Sequence, residues 1–267
     1  MTTPNNPYRF ELEFTVAATP EQVWDAIASA DGISAWMVPT ELDPREGGAV
    51  KFHMGPDGAS EGRVTAFEPT QRIAYEEDWA TLVGHSGANV TPLATEFVVE
   101  AHSGGTCVVR VVSSAFGTGA DWENEFWGEM ETGWAPMLDN LRIYLTHFAG
   151  ERATATTSAA TFAVTPVEAI DRVRAALGVG AVGDHVDAAG VIGVVERTIP
   201  QHFALRIERP VPGLVSCFGY EYATGTVVSL SAYLYGPDGA AAAERLRPQW
   251  QSLLDELARD QAIVPTP

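Results

Sequence analysis

The chain has 267 residues, 46% of them hydrophobic, with 25 glycines and 17 prolines; these are the proportions of a globular protein able to bury one large core or two ordinary ones, not of a disordered or fibrous chain. Sixteen Lys and Arg stand against 35 Asp and Glu, a formal net charge of −19. A field of that sign repels phosphate backbones and anionic lipid, and with Lys51 the single lysine and the arginines scattered, neither nucleic acid nor a membrane surface is an expected partner.

The N-terminal residues MTTPNNPYRF have no basic or apolar segment of a leader, and no run of about 18 apolar residues follows. A cytoplasmic location is therefore expected. Cys107 and Cys217 lie in strand-like runs, TCVVRVV and LVSCFGY, and read as buried thiols without a disulfide.

From Tyr8 to Val16, apolar and polar residues alternate as in a half-buried strand. Thr19-Pro20-Glu21-Gln22 then offers a capping hydroxyl, a first-turn proline and a glutamine at the third position, so a helix starts there and carries Val23, Trp24 and Ile27 inward. A short helical turn is expected around Ile33 to Trp36. From Pro44 short strands follow, at Gly48 to Met54, Gly62 to Glu68 and Arg72 to Trp79, separated by turn residues at Gly55-Pro56-Asp57-Gly58 and Glu68-Pro69-Thr70-Gln71. The stretch Ala80 to Pro92, glycine-rich and without periodicity, reads as a long mobile loop. Thr95 to His102 and Thr106 to Ser114 form a hairpin across Ser103-Gly104-Gly105. A long helix from near Trp122 to Phe148 ends this half, with Trp127, Met130, Trp134, Leu138, Leu141, Leu145 and Phe148 on one face.

Residues 150–161, GERATATTSAAT, are small and polar and read as a linker. Beyond them the pattern repeats. Phe162-Ala163-Val164 leading into Thr165-Pro166-Val167-Glu168 echoes Phe14-Thr15-Val16 leading into Thr19-Pro20-Glu21-Gln22, and Trp250, Leu254, Asp255 and Leu257 reproduce the spacing of Trp134, Leu138, Asp139 and Leu141. Strands at Ala189 to Glu196, Phe203 to Arg209, Gly213 to Tyr222 and Thr226 to Tyr235 lie between, so the second half reads as a shortened internal copy of the first.

The TPEQVWDAI helix, Trp36, the Gly47-Gly48 turn into VKFHM, Glu61-Gly62-Arg63-Val64, the Ile73 to Trp79 strand and the closing helix together resemble the START-like (SRPBCC) superfamily. Within it, they resemble the branch of homologues of the activator of the heat-shock-protein ATPase. The resemblance covers residues 8 to about 148. It implies an α+β helix-grip fold, a curved antiparallel sheet around a long C-terminal helix, used in two tandem units: a ligand-binding domain at 1–149, the linker at 150–161 and a shortened domain at 162–267. It also implies a cavity between sheet and helix, but no shared catalytic set.

Such a cavity would be walled by Trp36, Phe52, Met54, Phe67, Tyr75, Trp79, Phe97, Phe126, Trp127, Met130 and Trp134, residue types that equally fill ordinary cores. Its polar candidates are His53, Glu77, Asp78, His85, Glu123 and Glu131. Alternation turns His53 outward and sets Glu77 on the face of Ile73, Tyr75 and Trp79, where a carboxyl among rings should titrate high. Glu123 and Glu131 flank the Trp127 row. The six histidines have no metal-ligand spacing, no Gly-x-Ser-x-Gly is present, and Gly178, Gly180 and Gly183 follow a helix and not a strand; neither a metal, a cofactor nor a nucleophilic triad is expected. The expected function is binding of an apolar or aromatic small molecule, as carrier, sensor or sequestering protein, with the 80–92 loop gating the mouth. The competing readings are a polyketide-type cyclase or dehydratase using Glu77, Tyr75 or His85, and a co-chaperone-like interaction module. A homodimer is compatible with either.

Overall fold

The computed structural model describes residues 5–54, 58–102, 104–222 and 225–259. Gly55, Pro56 and Asp57 of the first expected turn, and Ser103 of the hairpin turn, lie outside the described residues. The chain divides into two compact units, Met1–Gly150 and Glu151–Pro267.

In the first unit, β1 (Asn6–Val16), α1 (Pro20–Ala28) and α2 (Ala30–Ser34) precede a meander of β2 (Thr40–Leu42), β3 (Ala49–His53), β4 (Ala59–Glu68) and β5 (Arg72–Glu77). After α3 (Trp79–Leu82) come β6 (Leu93–His102), β7 (Thr106–Gly117) and the closing α4 (Asp121–His147). The strands form one antiparallel sheet in the order β1-β7-β6-β5-β4-β3-β2. The α1 start follows from its capping box: Gln22 N donates to Thr19 Oγ1 at 3.3 Å and Thr19 N to Gln22 Oε1 at 2.9 Å. Three local readings change. Trp79 belongs to α3 and not to a strand, because the Asp78 carboxylate accepts from Thr81 N at 3.1 Å and caps a helical turn there. The second helical segment begins at Ala30, capped by Ser29, rather than at Ile33. β2, three residues long, carries too little pattern to be read locally.

The two halves of α4 differ. Beyond Pro136, Leu138, Leu141, Ile143, Tyr144 and Leu145 are buried, whereas in the first three turns only Glu123 and Trp127 are. Gly128 and Gly133 sit in this helix with open space where a Cβ would project, so packing does not require glycine at either. Gly128→Ala and Gly133→Ala are each expected to stabilise the first unit by about 1 kcal/mol through helix propensity; thermal unfolding monitored by circular dichroism checks this, and a loss of stability would contradict it.

The second unit repeats the plan. β8 (Ala153–Phe162) and α5 (Pro166–Leu177) precede β9 (His185–Ala188), β10 (Val191–Ile199), β11 (His202–Arg209), β12 (Gly213–Tyr222), β13 (Gly225–Tyr235) and α6 (Gly239–Arg259). The sheet order β8-β13-β12-β11-β10-β9 matches that of the first unit, opening strand beside last strand and the meander beyond, with one strand fewer. The residues read as a linker are mostly β8, paired with β13 along its whole length. Its Ala, Thr and Ser residues carry little local signal; what fixes the strand is its pairing with β13 and the cover of α6, whose Gln251 Nε2 donates to Ala159 O at 2.9 Å. α6 lies close along β8 and β13 and buries Gly239, Ala242, Ala243, Leu246, Trp250 and Leu254. Its Trp250 sits in a core with Phe162, Ile170, Phe203, Leu230 and Leu246. α4 makes its main backbone approach to β1 and α1 instead, and meets the sheet through large rings.

Candidate functional site

Register places one row of inward side chains across the first sheet: Val64, Tyr75, Thr95, Ser113 and Phe10 are successive partners on β4, β5, β6, β7 and β1. Two residues along β5, Glu77 pairs with Gly62 on β4 and Leu93 on β6, and so points inward as well. This face holds a small set of buried polar groups. Thr95 Oγ1 and Ser113 Oγ lie 3.1 Å apart, and the Ser60 hydroxyl donates to Glu77 Oε1. Glu77 is 9% exposed, and burial raises its pKa to about 7 against the opposing pull of the Ser60 hydrogen bond. Burial, with the Glu77 charge second, holds the Tyr75 hydroxyl well above its ordinary range. Gly62 makes this arrangement feasible: a Cβ there would lie 2.1 Å from Glu76 O and 3.1 Å from Glu77 Cγ.

Glu77 opens onto a cleft of about 580 Å³, lined also by Gly62, Glu76, Trp79, Val90 and Thr91, a volume within the ordinary range of small-molecule sites. Trp127, Met130 and Trp134 do not line it. The rings form a connected interior beside it. Phe52 and Tyr75 lie 5.2 Å apart, Tyr75 and Phe97 6.5 Å, and Phe97 meets Trp134 edge-on at 5.8 Å. Trp79 contacts Trp122 at 5.0 Å, Phe126 at 4.8 Å and Trp127 at 6.2 Å.

Other residues read as walls have separate places. Trp36 is locked between helices, its Nε1 donating to Ala26 O at 2.9 Å while Asn140 Nδ2 donates to Trp36 O at 3.3 Å. Phe67, shifted by the β4 bulge, meets Trp24 of α1 edge-on at 5.1 Å. Met54 and Met130 are half-buried. Tyr8 and Phe10 of β1, which reading by alternation alone does not single out as site residues, pack on Trp127 at 5.4 and 5.9 Å. Ser60 carries no local signal at all.

His53 faces outward against Glu41 Oε1 at 2.8 Å, and Glu131 is exposed. His85 is exposed, stacks on Trp122 at 4.2 Å and does not line the cleft at Glu77. The loop read as mobile is tied down: Trp79 Nε1 donates to Thr91 O at 2.8 Å, Thr91 N to Phe116 O at 2.8 Å and Phe116 N to Thr91 Oγ1 at 2.8 Å.

Glu123, by contrast, serves α4 itself. Its carboxylate accepts from Thr118 N at 2.9 Å, Thr118 Oγ1 at 2.8 Å, Gly119 N at 2.8 Å and Tyr8 Oη at 3.2 Å. A Cβ at Gly117 would lie 2.2 Å from its Oε2. Burial raises its pKa, but the donors outweigh that and the net shift is downward. Its stabilising effect is therefore present above the ordinary carboxylate pKa and lost as pH falls through the depressed value. Glu123→Gln is expected to cost about 2 kcal/mol at pH 7 and less at pH 3, read by chemical denaturation at the two pH values.

Residues 17–146 match the family described as Activator of Hsp90 ATPase homolog 1-like protein. The match ends with the first unit's closing helix and leaves the second unit outside it. Among solved structures, the chain is similar to the Aha1 dimer from Colwellia psychrerythraea at 20% identity, covering 53% of this chain and 98% of that one with a TM-score of 0.43. It is similar over 97% of its length to DynU16, a protein of the dynemicin biosynthetic locus, at 15% identity, covering 100% of that chain with a TM-score of 0.43. The di-domain ARO/CYC BexL from the BE-7585A biosynthetic pathway is similar at 15% identity, over 97% of this chain and 99% of that one, with a TM-score of 0.43. No curated protein matches the chain significantly. No helix among the described residues is long and apolar enough to cross a membrane.

Proposed function

We propose that the first unit binds a hydrophobic aromatic small molecule at the cleft beside Glu77, with Trp79 as its apolar wall and Glu77 as the polar anchor, and with the contacting rings of Tyr75, Phe97 and Trp134 packed behind it. The observation that carries this reading is Glu77 itself: a carboxyl buried among rings, with Ser60 as its hydrogen-bond partner and a cleft at its side. An ionisable group in that setting costs stability, and such groups concentrate where they act on a ligand. The second unit, whose core is filled around Trp250, serves as a structural partner. Native mass spectrometry of the protein purified from its own host is expected to show a co-purifying small molecule that Trp79→Ala releases. Bare protein, together with no saturable change in tryptophan emission across a panel of aromatic compounds, would end this reading.

The same carboxyl supports a second reading. A group titrating near 7 inside a binding site can both donate and accept a proton at working pH, which suits a cyclisation or dehydration of the bound molecule. In that case Glu77→Gln retains the bound mass but loses turnover, and the natural chain's rate inflects near pH 7. Binding without turnover confines the function to carriage or sensing.

A further inference from the structure

Among the described residues, the cleft at Glu77 is lined by the carboxylates of Glu61, Glu76, Glu77 and Asp78 and by one cation, Arg63. Three of these carboxylates already have strong partners. Lys51 Nζ donates to Glu61 Oε1 at 2.7 Å, Arg63 Nε donates to Glu76 Oε1 at 2.7 Å, and Asp78 caps α3, accepting from Thr81 N at 3.1 Å and from Thr81 Oγ1 at 2.7 Å. Glu77 is the exception. It is the buried member of the set, and its Oε1 accepts from a neutral hydroxyl, that of Ser60, leaving Oε2 to the cleft it lines. Neither basic side chain of this corner is free to pair with it, since Lys51, the chain's single lysine, holds Glu61 and Arg63 holds Glu76. A buried carboxyl without a counter-charge is held toward its neutral form, and burial raises Glu77 to about 7 although Ser60 pulls the other way. What this pocket lacks is a cation.

We infer that the cleft selects a protonated amine carried on an apolar frame, its ammonium donating to Glu77 Oε2 while the frame lies against Trp79. This rests on the binding reading above and names the class of ligand. An ammonium has three donors and no acceptor, and its hydrogen bond to a carboxylate is about twice as strong as a neutral one. An alcohol can donate to the same oxygen but leaves the carboxylate charge uncompensated. An anion meets four carboxylates and one engaged arginine in a chain of net charge −19, and is repelled. The charged and titratable groups that face Glu77 are Glu61 and Arg63 of β4, Glu76 of β5 and Asp78 in the cleft, with Tyr75 beside it. None of them is a histidine, the ordinary titrating group between pH 5 and 8, so a change in amine affinity across neutral pH reports Glu77.

The test compares 2-naphthylethylamine with 2-naphthylethanol, nearly equal in shape but differing in charge, by equilibrium dialysis against the full chain at pH 8 and pH 6. At pH 8 the natural protein is expected to bind the amine about tenfold more tightly than the alcohol. At pH 6 most of the folded Glu77 carboxyl is protonated, and binding the ammonium sends that proton to solvent. The amine's affinity is therefore expected to fall about tenfold between the two pH values, and its preference over the alcohol to vanish. Glu77→Gln, which keeps the side chain's size and an oxygen for Ser60 but carries no charge, is expected to bind both probes equally at both pH values. Equal binding of the two probes by the natural chain at pH 8, or a preference for the alcohol there, overturns the inference and leaves the binding reading standing. An amine preference that survives Glu77→Gln belongs to the overall negative charge of the chain and overturns it too. Binding of neither probe to the natural chain overturns both.

Discussion

Glu77→Gln is expected to stabilise the first unit by about 3 kcal/mol at pH 8 and by less than about 1 kcal/mol at pH 5. The sign follows from the raised pKa. In the folded chain the carboxyl titrates at about 7, against an ordinary value of 4.5. Below 4.5 both states are protonated and the group has no effect on the difference between them. Between the two values the unfolded chain releases a proton that the folded chain retains, so folding loses about 1.4 kcal/mol for each pH unit until the folded carboxyl also ionises. Glutamine does not titrate and keeps an oxygen able to accept from Ser60, so the variant avoids the loss. Chemical denaturation from pH 3.5 to 8.5 measures it: the two curves should run parallel at the acid end, diverge between about pH 4.5 and 7, and run parallel again above that. Curves parallel throughout would mean that the carboxyl is solvated, and the binding reading would lose its main support.

The second unit should respond to pH in the opposite direction. His202 is fully buried on β11, its Nε2 3.1 Å from Ser216 Oγ, and its Nδ1 has no partner among the described residues. Burial first, then the positive charges of Arg197 and Arg174, lower its pKa to about 3 from 6.5. The unfolded chain takes up a proton as pH falls through 6.5 and the folded chain does not, so stability present at neutral pH is progressively lost. By pH 4 the loss attributable to this ring is about 3 kcal/mol. His202→Gln, neutral throughout and able to bond Ser216, is expected to cost about 1 kcal/mol at pH 7 and to be the more stable chain at pH 4. Hydrogen exchange of the β11 and β12 amides across that range reads it out. A variant that weakens in acid as steeply as the natural chain would show that other groups govern the acid limb.

Local pattern is strong wherever a single element carries its own instruction. Thr19 to Gln22 dictate the α1 start because the cap is made within four residues, and α4 follows from an apolar stripe that any long helix must bury. Glu77 on the ring-bearing face follows from the two-residue period of β5. The echo between the units was legible for the same reason, since caps and closing helices recur in order, and the matching strand orders bear it out.

What the chain does not spell locally lies in contacts between distant segments. The strand 153–162 looks like a linker until β13 pairs with it and α6 covers it. The 80–92 stretch looks free until Thr91 meets Trp79 and Phe116. Sequence alone determined the two-unit plan, through caps and closing helices that recur in order, and the inward carboxyl, through the period of β5, while the fold class followed from the resemblance of its ordered motifs to the START-like superfamily. Only the tertiary structure decided that Glu77 rests on Ser60, that Phe67 goes to Trp24, and that Trp127 is enclosed by Tyr8 and Phe10 with its N–H unmatched. Those outcomes depend on which surfaces close over a residue, and no short-range pattern encodes the distance between a side chain and a partner on another element.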